Sequence, residues 1–391
     1  MGLVLVVNAG SSSLKFALVD AMTGQRAAEG VVERIGETGS SAHYAGSQER
    51  QVEDSIPDHG AAFAVARDLM IEDGQPQPIA VGHRVVHGGD ELTQPTVIDE
   101  AVVAQIAACV PLAPLHNPGA LVGIAAAGSQ YPDIPHVAVF DTAFHATMPA
   151  AAREYAIDRK VARDFSIRRY GFHGTSHQYV AAQAAEYLGK DPSDLNLVSL
   201  HLGNGASACA IRGGRSVDTS MGVTPLEGLV MGTRSGDIDP SIPMMLHSAG
   251  WDAQSVDNLL NRDSGLKGLC GENDMRQISE RAAAGDESAE LAREVMAHRL
   301  RKYLGAYSFI LGRVDAVIFT AGIGEHNPWV RSAVCRDLQG FGIEFDEAAN
   351  ANAGSGIQRI SAPGSLVTIL VIPTDEEYAI AQQSYDLVRD D

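Results

Sequence analysis

An apolar strand, a tight glycine turn and a second alternating strand occur twice in this chain, half its length apart. Near the start the run is LVLVVNAGSSSLKFALVD; near the midpoint it is NLVSLHLGNGASACAIRGGRSVD. Asn8 and Asn204 are 196 residues apart, and so are Ser11 and Ser207. At ~150 residues per domain, a chain of 391 residues divides into two or three domains. The echo then argues for two domains with related folds, and chance recurrence among glycine-rich hairpins is the competing explanation. No period of about 20–50 residues is visible, which argues against a solenoid.

Between and around these runs, short apolar strands alternate with helical stretches. Val4–Val7, Lys15–Val19, Ile79–Val81, His136–Phe140, Leu197–His201, Ala208–Ile211, Ala316–Thr320 and Leu366–Ile372 read as strands. Val102–Cys109, Asn117–Ala127, Ser176–Leu188, Ser255–Leu260, Ser288–Phe309 and Glu376–Val388 read as helices. Such alternation predicts an α/β architecture. Glycine and proline are spread along the chain rather than gathered into a low-complexity linker. The apolar stretches all stop well short of the ~18 residues that a transmembrane helix needs. The N-terminal run has no basic segment before it and reads as a strand, not a signal peptide.

The formal net charge is −20. A nucleic-acid binder needs a basic face, so that class is excluded as an expectation. An anionic substrate must instead meet a local positive cluster or a metal ion. Only 5 lysines stand against 24 arginines. The four cysteines are scattered with no CxxC pair, which fits a reducing cytoplasm and argues against structural zinc.

Several motifs place chemistry at turns. Asn8-Ala9-Gly10-Ser11-Ser12-Ser13-Leu14-Lys15 follows a buried strand with small residues, hydroxyls and a lysine, which suits a phosphate. A polar hairpin turn is the plain alternative, and neither GxxxxGK[ST] nor a helix-opening GxGxxG is present. Gly82-His83-Arg84-Val85-Val86-His87 places Arg84 between a strand and a glycine turn, ready for an anion or for a structural ion pair. Leu115-His116-Asn117-Pro118 precedes a helix start. Asp141 ends an apolar strand, where α/β sheets place ligand groups, although it could equally cap the next segment. Arg168 to His177 gathers two arginines and two histidines around glycines. His201 to Ser207 is the second glycine turn, and Arg234 stands among glycines in Met231 to Pro240. Asp274 to Arg276 and Gly322 to His326 open helices, the latter a setting for phosphate or nucleoside. Glu376 opens the last helix, either as an acidic cap or as a metal-binding carboxylate. Together these are the parts of a phosphoryl-transfer enzyme, in which positioning and charge stabilisation do most of the catalysis. No GxSxG elbow and no HExxH helix competes with that reading.

The motifs VNAGSSSLK, GHRVVHGG, PLHNP, FDTAFH, RRYGFHGTSH, HLGNG, MGTRSGDIDP, DMR, TAGIGE and TDEE stand in this order along nearly the whole chain. In that order they resemble the acetokinase family. The resemblance implies the duplicated two-domain fold shared by sugar kinases, heat-shock ATPases and actin, with a nucleotide cleft between the domains. It implies an N-terminal domain over residues 1–148, a C-terminal nucleotide-binding domain over 149–377, and a last helix, about 378–391, returning to the first domain. It further implies a cytoplasmic homodimer that transfers the γ-phosphoryl group of ATP to acetate, giving ADP and acetyl phosphate, with Mg²⁺ as cofactor and Mn²⁺ able to replace it. No nucleic-acid or membrane partner is expected.

Motif by motif, the resemblance gives Asn8 and Glu376 to the metal. Lys15, Ser11 and Ser12 go to the ATP phosphates, and Arg84 to the acetate carboxylate. Val86, Leu115, His116 and Pro225 go to the acetate pocket. His201, Leu202, Gly203, Asn204, Gly205, Asp274, Met275, Arg276, Gly322, Ile323, Gly324, Glu325 and His326 go to ATP. Asp141 matches the family's catalytic acid, and His173 and Arg234 its transition-state stabilisers, with Arg84 beside them. Two departures lie near the expected adenosine site: the Cys270–Asp274 segment is one residue short, and His326 replaces an asparagine. Neighbouring possibilities are a propionate or butyrate kinase, and an actin-like ATP-binding module without transfer.

Physical chemistry refines one of these roles. Acetate is already ionised at neutral pH and needs no general base. The larger obstacle is repulsion between two anions, which arginines and a metal can relieve. Asp141 is therefore expected to orient an arginine or a metal-bound water rather than to move a proton.

Overall fold

The computed structural model describes residues 2–389. The chain forms two compact units: one runs to Phe144 and resumes at Asp375, and the other spans His145–Thr374. The helix expected at about 378–391 is observed over Glu376–Arg389 and belongs to the first unit. Asp390 and Asp391 lie outside the described residues.

The first unit is built on β1 (Leu3–Ala9), β2 (Ser13–Asp20), β3 (Arg26–Glu33), β4 (Ser41–Ala45), β5 (Glu49–Glu53), β6 (Ala80–Val85), β7 (Thr96–Val97) and β8 (His136–Phe140). They form one sheet in the order β5-β4-β3-β2-β1-β6-β8-β7. The second unit carries β9 (Asn196–Leu202), β10 (Ala206–Arg212), β11 (Arg215–Thr219), β12 (Ala316–Thr320), β13 (Gln358–Arg359) and β14 (Thr368–Val371), in the order β11-β10-β9-β12-β14-β13. The strand runs β3-β2-β1-β6-β8 and β11-β10-β9-β12-β14 match one for one. In each, the first three strands are antiparallel and the last two join in parallel. This is the duplicated α/β architecture that the alternation and the echo implied.

The echo is shifted in register, however. Asn8 lies in β1 opposite Lys15, whereas Asn204 lies in the turn between β9 and β10. Ser11 is in a turn and Ser207 is in β10. The two hairpins are equivalent, but residues 196 apart are not. The recurring Asn-Gly-Ser composition marks a shared turn chemistry, not shared positions.

Both faces of the first sheet are covered, so β1 reads as a continuous apolar run. Leu3, Leu5, Val7 and Ala9 pack with Phe63, Ala66 and Leu69 of the helix His59–Glu72. Val4 and Val6 face the other way and meet Ala17, Val139, Ile380 and Ala381, the last two from the C-terminal helix. The two faces follow from the period of two along a strand. Strands β3, β4, β5, β7, β11 and β13 were not expected from the sequence. Most of their residues are polar or small, with isolated core positions such as Val32 and Tyr44; β5, ERQVE, is exposed at every second position. Arg84, expected beyond a strand end, lies inside β6, because that strand continues past Val81 to Val85.

Candidate active site

In the first unit the functional groups gather where parallel strands end. Asn8 and Lys15 face each other across β1 and β2. Val7 pairs with His83, so Arg84 stands in the next row, beside Asn8. Neighbours in one row share a face. It is the face of Val4 and Val6, which carries the C-terminal helix.

Asp141 follows β8 directly and is almost fully buried. Its two oxygens accept from Arg84 Nε at 3.0 Å and Nη2 at 2.7 Å. This planar, two-bond pairing fixes the guanidinium. It occupies two of five N–H donors and leaves the Nη1 end available. The Asp141 charge raises the Arg84 pKa, so the cation is permanent. Glu376 Oε2 lies 3.8 Å from Arg84 Nε. Burial pushes the Glu376 carboxyl up; Arg84 opposes the shift, and Asp141, Glu377 and Asp375 add to it. Asp375 and Glu377 are themselves held by Arg26, at 2.8 Å and 3.1 Å. Glu376 is thus the carboxylate of this group without a close cation of its own.

The remaining first-unit candidates are placed more loosely. Ser11 is exposed and Ser12 half-buried in the hairpin turn, where the Ser12 carbonyl accepts from Ile35 N at 3.0 Å. Val86 and His116 are half-buried, and Leu115 is exposed at 53 %. The residues that hold these segments stand in motifs marked in the sequence, but sequence reasoning gave them no such role. Buried Asn117 donates to the carbonyls of His87 and Ile106 and accepts from His87 N, while Thr142 Oγ1 accepts from Gly88 N. Gly119 and Gly123 let the helix Asn117–Gln130 close on the β1 turn: a Cβ at Gly123 would stand 2.5 Å from Ala9 Cβ. The glycine spacing in NPGALVGI was the available signal.

In the second unit, His173, His201, Gly205 and Arg234 come together. His173 adopts a left-handed backbone conformation, φ 56°, just before the helix Gly174–Leu188. A non-glycine residue held there is strained and persists where its surroundings fix it. Here His145 Nε2 donates to the carbonyl of Phe172 at 3.0 Å, the residue before. The His173 ring stacks on His201, centroids 4.1 Å apart. A Cβ on Gly205 would lie 3.5 Å from His173 Nε2 and 3.6 Å from Arg234 Nη1, so the Gly205 backbone stands at van der Waals distance from both groups.

Arg234 donates to the Pro225 carbonyl at 2.9 Å and forms no ion pair with a carboxylate among the described residues. Burial lowers its pKa, and a half-buried guanidinium without a counter-ion is a ready anion site. Arg169, which lies in the arginine-histidine motif of the sequence but was given no role there, and Arg299, which was not singled out, hold the loops on either side. Arg169 donates to the carbonyls of Thr219, Ser220 and Met221 and to Glu227, and Arg299 to those of Gly228 and Asp237.

Gly203, Asn204 and Gly205 form the β9–β10 turn. Gly232 N donates to the Asn204 carbonyl, and Asn273 Nδ2 to Asn204 Oδ1 at 3.1 Å. Leu202 and Met275 are buried core side chains, so neither can offer its side chain to a nucleotide; only their backbone remains for that part. Arg276 is highly exposed and folds back on Asp274, which caps its own helix. In the helix Ala321–His326, Gly322 and His326 are exposed, Ile323 is half-buried, and Gly324 is buried against the Phe319 backbone. Glu325 Oε1 accepts from Thr374 N at 3.2 Å. Arg331, which was not expected in the site, is buried beneath this segment and donates to the carbonyls of Gly324 and Glu325 and to Asn350.

Two matched sheets, glycine hairpins at strand ends, and arginines held for anions define an α/β kinase. Residues 3–382 match the acetokinase family, and the chain belongs to it. An acetate kinase from Streptomyces coelicolor is 53 % identical over 395 residues, covering 99 % of this chain and 97 % of that protein. The crystal structure of Porphyromonas gingivalis acetate kinase superposes with a TM-score of 0.95 at 40 % identity, covering 99 % and 100 % of the two chains. A propionate kinase from Francisella tularensis superposes at 0.94 with 41 % identity over the same shares. Among the described residues no helix is long and apolar enough to cross a membrane.

Proposed function

We propose that this chain moves the γ-phosphoryl group of ATP directly onto acetate, in line and reversibly. The observation that carries the acceptor assignment is Arg84. One edge of its guanidinium is locked by Asp141, and the other keeps paired N–H donors for a carboxylate. Val86, Leu115 and Pro225 are the residues assigned to the acetate methyl, and His116 to the same substrate pocket. Asp141 acts by orienting Arg84, since an ionised carboxylate needs no base. His173 and Arg234 meet the charge of the phosphoryl oxygens, a preorganised arrangement suited to the transition state. Lys15, Ser11 and Ser12 approach the phosphates. The backbone of Leu202 to Gly205, with His201, Asp274 to Arg276 and Gly322 to His326, serves the nucleotide.

Glu376 and Asn8 supply the oxygen donors assigned to Mg²⁺, which binds through one or two protein oxygens, water and substrate phosphates. The local surplus of carboxylate around Glu376 fits a cation. When bound, the ion would offset nucleotide charge. A homodimer and a cytoplasmic setting follow from the family resemblance, and four buried free cysteines accord with a reducing compartment. Light scattering on the purified chain tests the dimer.

The test of function is ADP release from Mg·ATP with acetate, propionate, butyrate and glycerol in parallel. Acetate should be fastest. Propionate should be slower, because one methylene is worth only ~1–3 kcal/mol, and glycerol should be inert. ATP binding without carboxylate-dependent release would refute the assignment. A chiral γ-phosphate should invert; retention would point instead to a phosphorylated carboxylate.

A further inference from the structure

His173 does not stand alone. Its Nδ1 lies 2.9 Å from Ser207 Oγ, and the same oxygen lies 2.7 Å from His177 Nε2. On the far side of the His177 ring, Nδ1 lies 2.9 Å from Ser199 Oγ. Ser199, His177 and Ser207 are all fully buried. We propose that Ser199, His177 and Ser207 form a one-directional hydrogen-bond relay that holds His173 neutral, with its proton on Nε2. The relay deepens the placement of His173 at the phosphoryl group and rests on that reading.

The direction follows from proton accounting. A neutral imidazole has one N–H donor and one acceptor nitrogen. Suppose His177 carried its proton on Nδ1. Ser199 Oγ would then accept from it, and the Ser199 hydroxyl hydrogen would be buried with no acceptor among its contacts. Such a stranded group is costly and rare. In the opposite sense every group is satisfied. Ser199 donates to His177 Nδ1, His177 Nε2–H donates to Ser207 Oγ, and Ser207 donates to His173 Nδ1. His173 must then carry its own proton on Nε2, the nitrogen on the side of Gly205 and Arg234.

Protonating His173 at Nδ1 would reverse the whole chain and strand Ser199. The relay therefore opposes an imidazolium at His173. The other groups facing this ring act in the same sense. His201 stacks upon it, Arg234 lies beyond Gly205, and His177 is kept neutral by its burial. A neutral donor holds the phosphoryl oxygens without a proton that could be lost to them. Ser207 and His177 are positioning residues in this scheme, because they act only through His173.

The test is nitrogen NMR of the full-length protein labelled with ¹⁵N-histidine, with the His173 signals assigned by their loss in His173→Gln. Wild type should show a protonated Nε2 and an unprotonated Nδ1, with no titration near pH 6.5. Ser207→Ala should raise the His173 pKa by about one unit, the tenfold equivalent of one net hydrogen bond. Ser207→Thr, which keeps the hydroxyl, should restore the wild-type titration, a rescue that a purely packing role would not produce. A proton on Nδ1 in wild type, or an unmoved pKa in Ser207→Ala, would overturn the relay. Activity reports separately on the placement: an unchanged kcat in His173→Gln would refute the position at the phosphoryl group while the NMR result still stood.

Discussion

Replacing Asp141 by asparagine separates the two roles open to this residue. The carboxylate is almost buried and holds Arg84 through two charge-assisted bonds, at 3.0 Å and 2.7 Å. Asparagine has nearly the same shape. Its oxygen can accept one of these bonds, but its amide presents N–H groups to the other Arg84 donor. One bond to a charged group is lost, about 1.5–3 kcal/mol. Expressed as transition-state binding, that is a fall of about 10- to 150-fold in kcat/KM. The loss should fall on acetate, whose KM should rise, while the KM for Mg·ATP holds nearly constant. The assay is initial-rate ADP release with acetate and Mg·ATP varied independently, at several free Mg²⁺ concentrations. Asp141→Asn with full activity, or a loss wholly restored by excess Mg²⁺, would refute the orienting role. In the second case Asp141 would belong to the metal.

Three further substitutions probe the surroundings. Burial raises the Glu376 pKa, so at neutral pH its charge weighs against folding, and stability falls as pH climbs from below the ordinary carboxylate range. Glu376→Gln should raise the melting temperature of metal-free protein at pH 7 and abolish Mg²⁺-dependent turnover; a lower melting temperature would refute the charge argument. Burial drives His83 down to about 3, with His136 adding to the shift. An unfolded histidine takes a proton below about 6.5, so this contribution is intact above that pH and is lost as pH falls toward 3, at up to ~1.4 kcal/mol per unit. Urea unfolding of His83→Gln between pH 7 and 5 should show a flatter decline than wild type. Arg331→Ala strands the carbonyls of Gly324 and Glu325 and leaves a cavity. It should destabilise the fold by about 3 kcal/mol or more. It should also raise the KM for ATP more than that for acetate; the reverse order would disconnect Arg331 from the nucleotide segment.

The parts of the fold legible in the sequence were those whose burial is two-sided or strictly periodic. His136–Phe140 and Ala316–Thr320 were read with their observed limits, because four of the five residues in each are apolar and buried, which makes the boundaries sharp. The helix Glu287–Leu311 was recognised by its length and period. Strands β3 to β5 were not recognised. They take their conformation from successive antiparallel pairing, β3 on β2, β4 on β3 and β5 on β4, a context effect that leaves only weak alternation in RAAEGVVE and ERQVE. The helix His59–Glu72 was missed as well, although Asp58 caps it by accepting from Ala61 N. Its alanine-rich face carries little contrast between buried and exposed positions.

Legibility of the site divides along a different line. The residues proposed to touch ligands sit largely in glycine-rich turns, so Arg234, Asn204 and Gly205 stood out by composition alone. Residues that hold those turns carry no such mark. Arg169, Arg299 and Arg331 serve backbone carbonyls from distant segments; Arg169 lies in a marked motif, but nothing near Arg299 or Arg331 in sequence separates them from the other arginines. In a chain with 24 arginines and 5 lysines, this use of arginine has a physical basis. A planar guanidinium can span two or three carbonyls at fixed angles, where a lysine ammonium offers only a compact point charge. Arg169 accordingly ties three successive carbonyls before the Pro225 loop, and Arg331 ties two at the end of the Ala321–His326 helix. Arg84 differs in that both oxygens of one carboxylate take a whole edge of its guanidinium, which is why its other edge has a defined direction. The two units thus use arginines in two capacities. Those on carbonyls hold the loops in shape, and Arg84 and Arg234 are the two proposed to keep donors for anions. Replacement by lysine should therefore be tolerated at neither kind of position, although charge is kept at both.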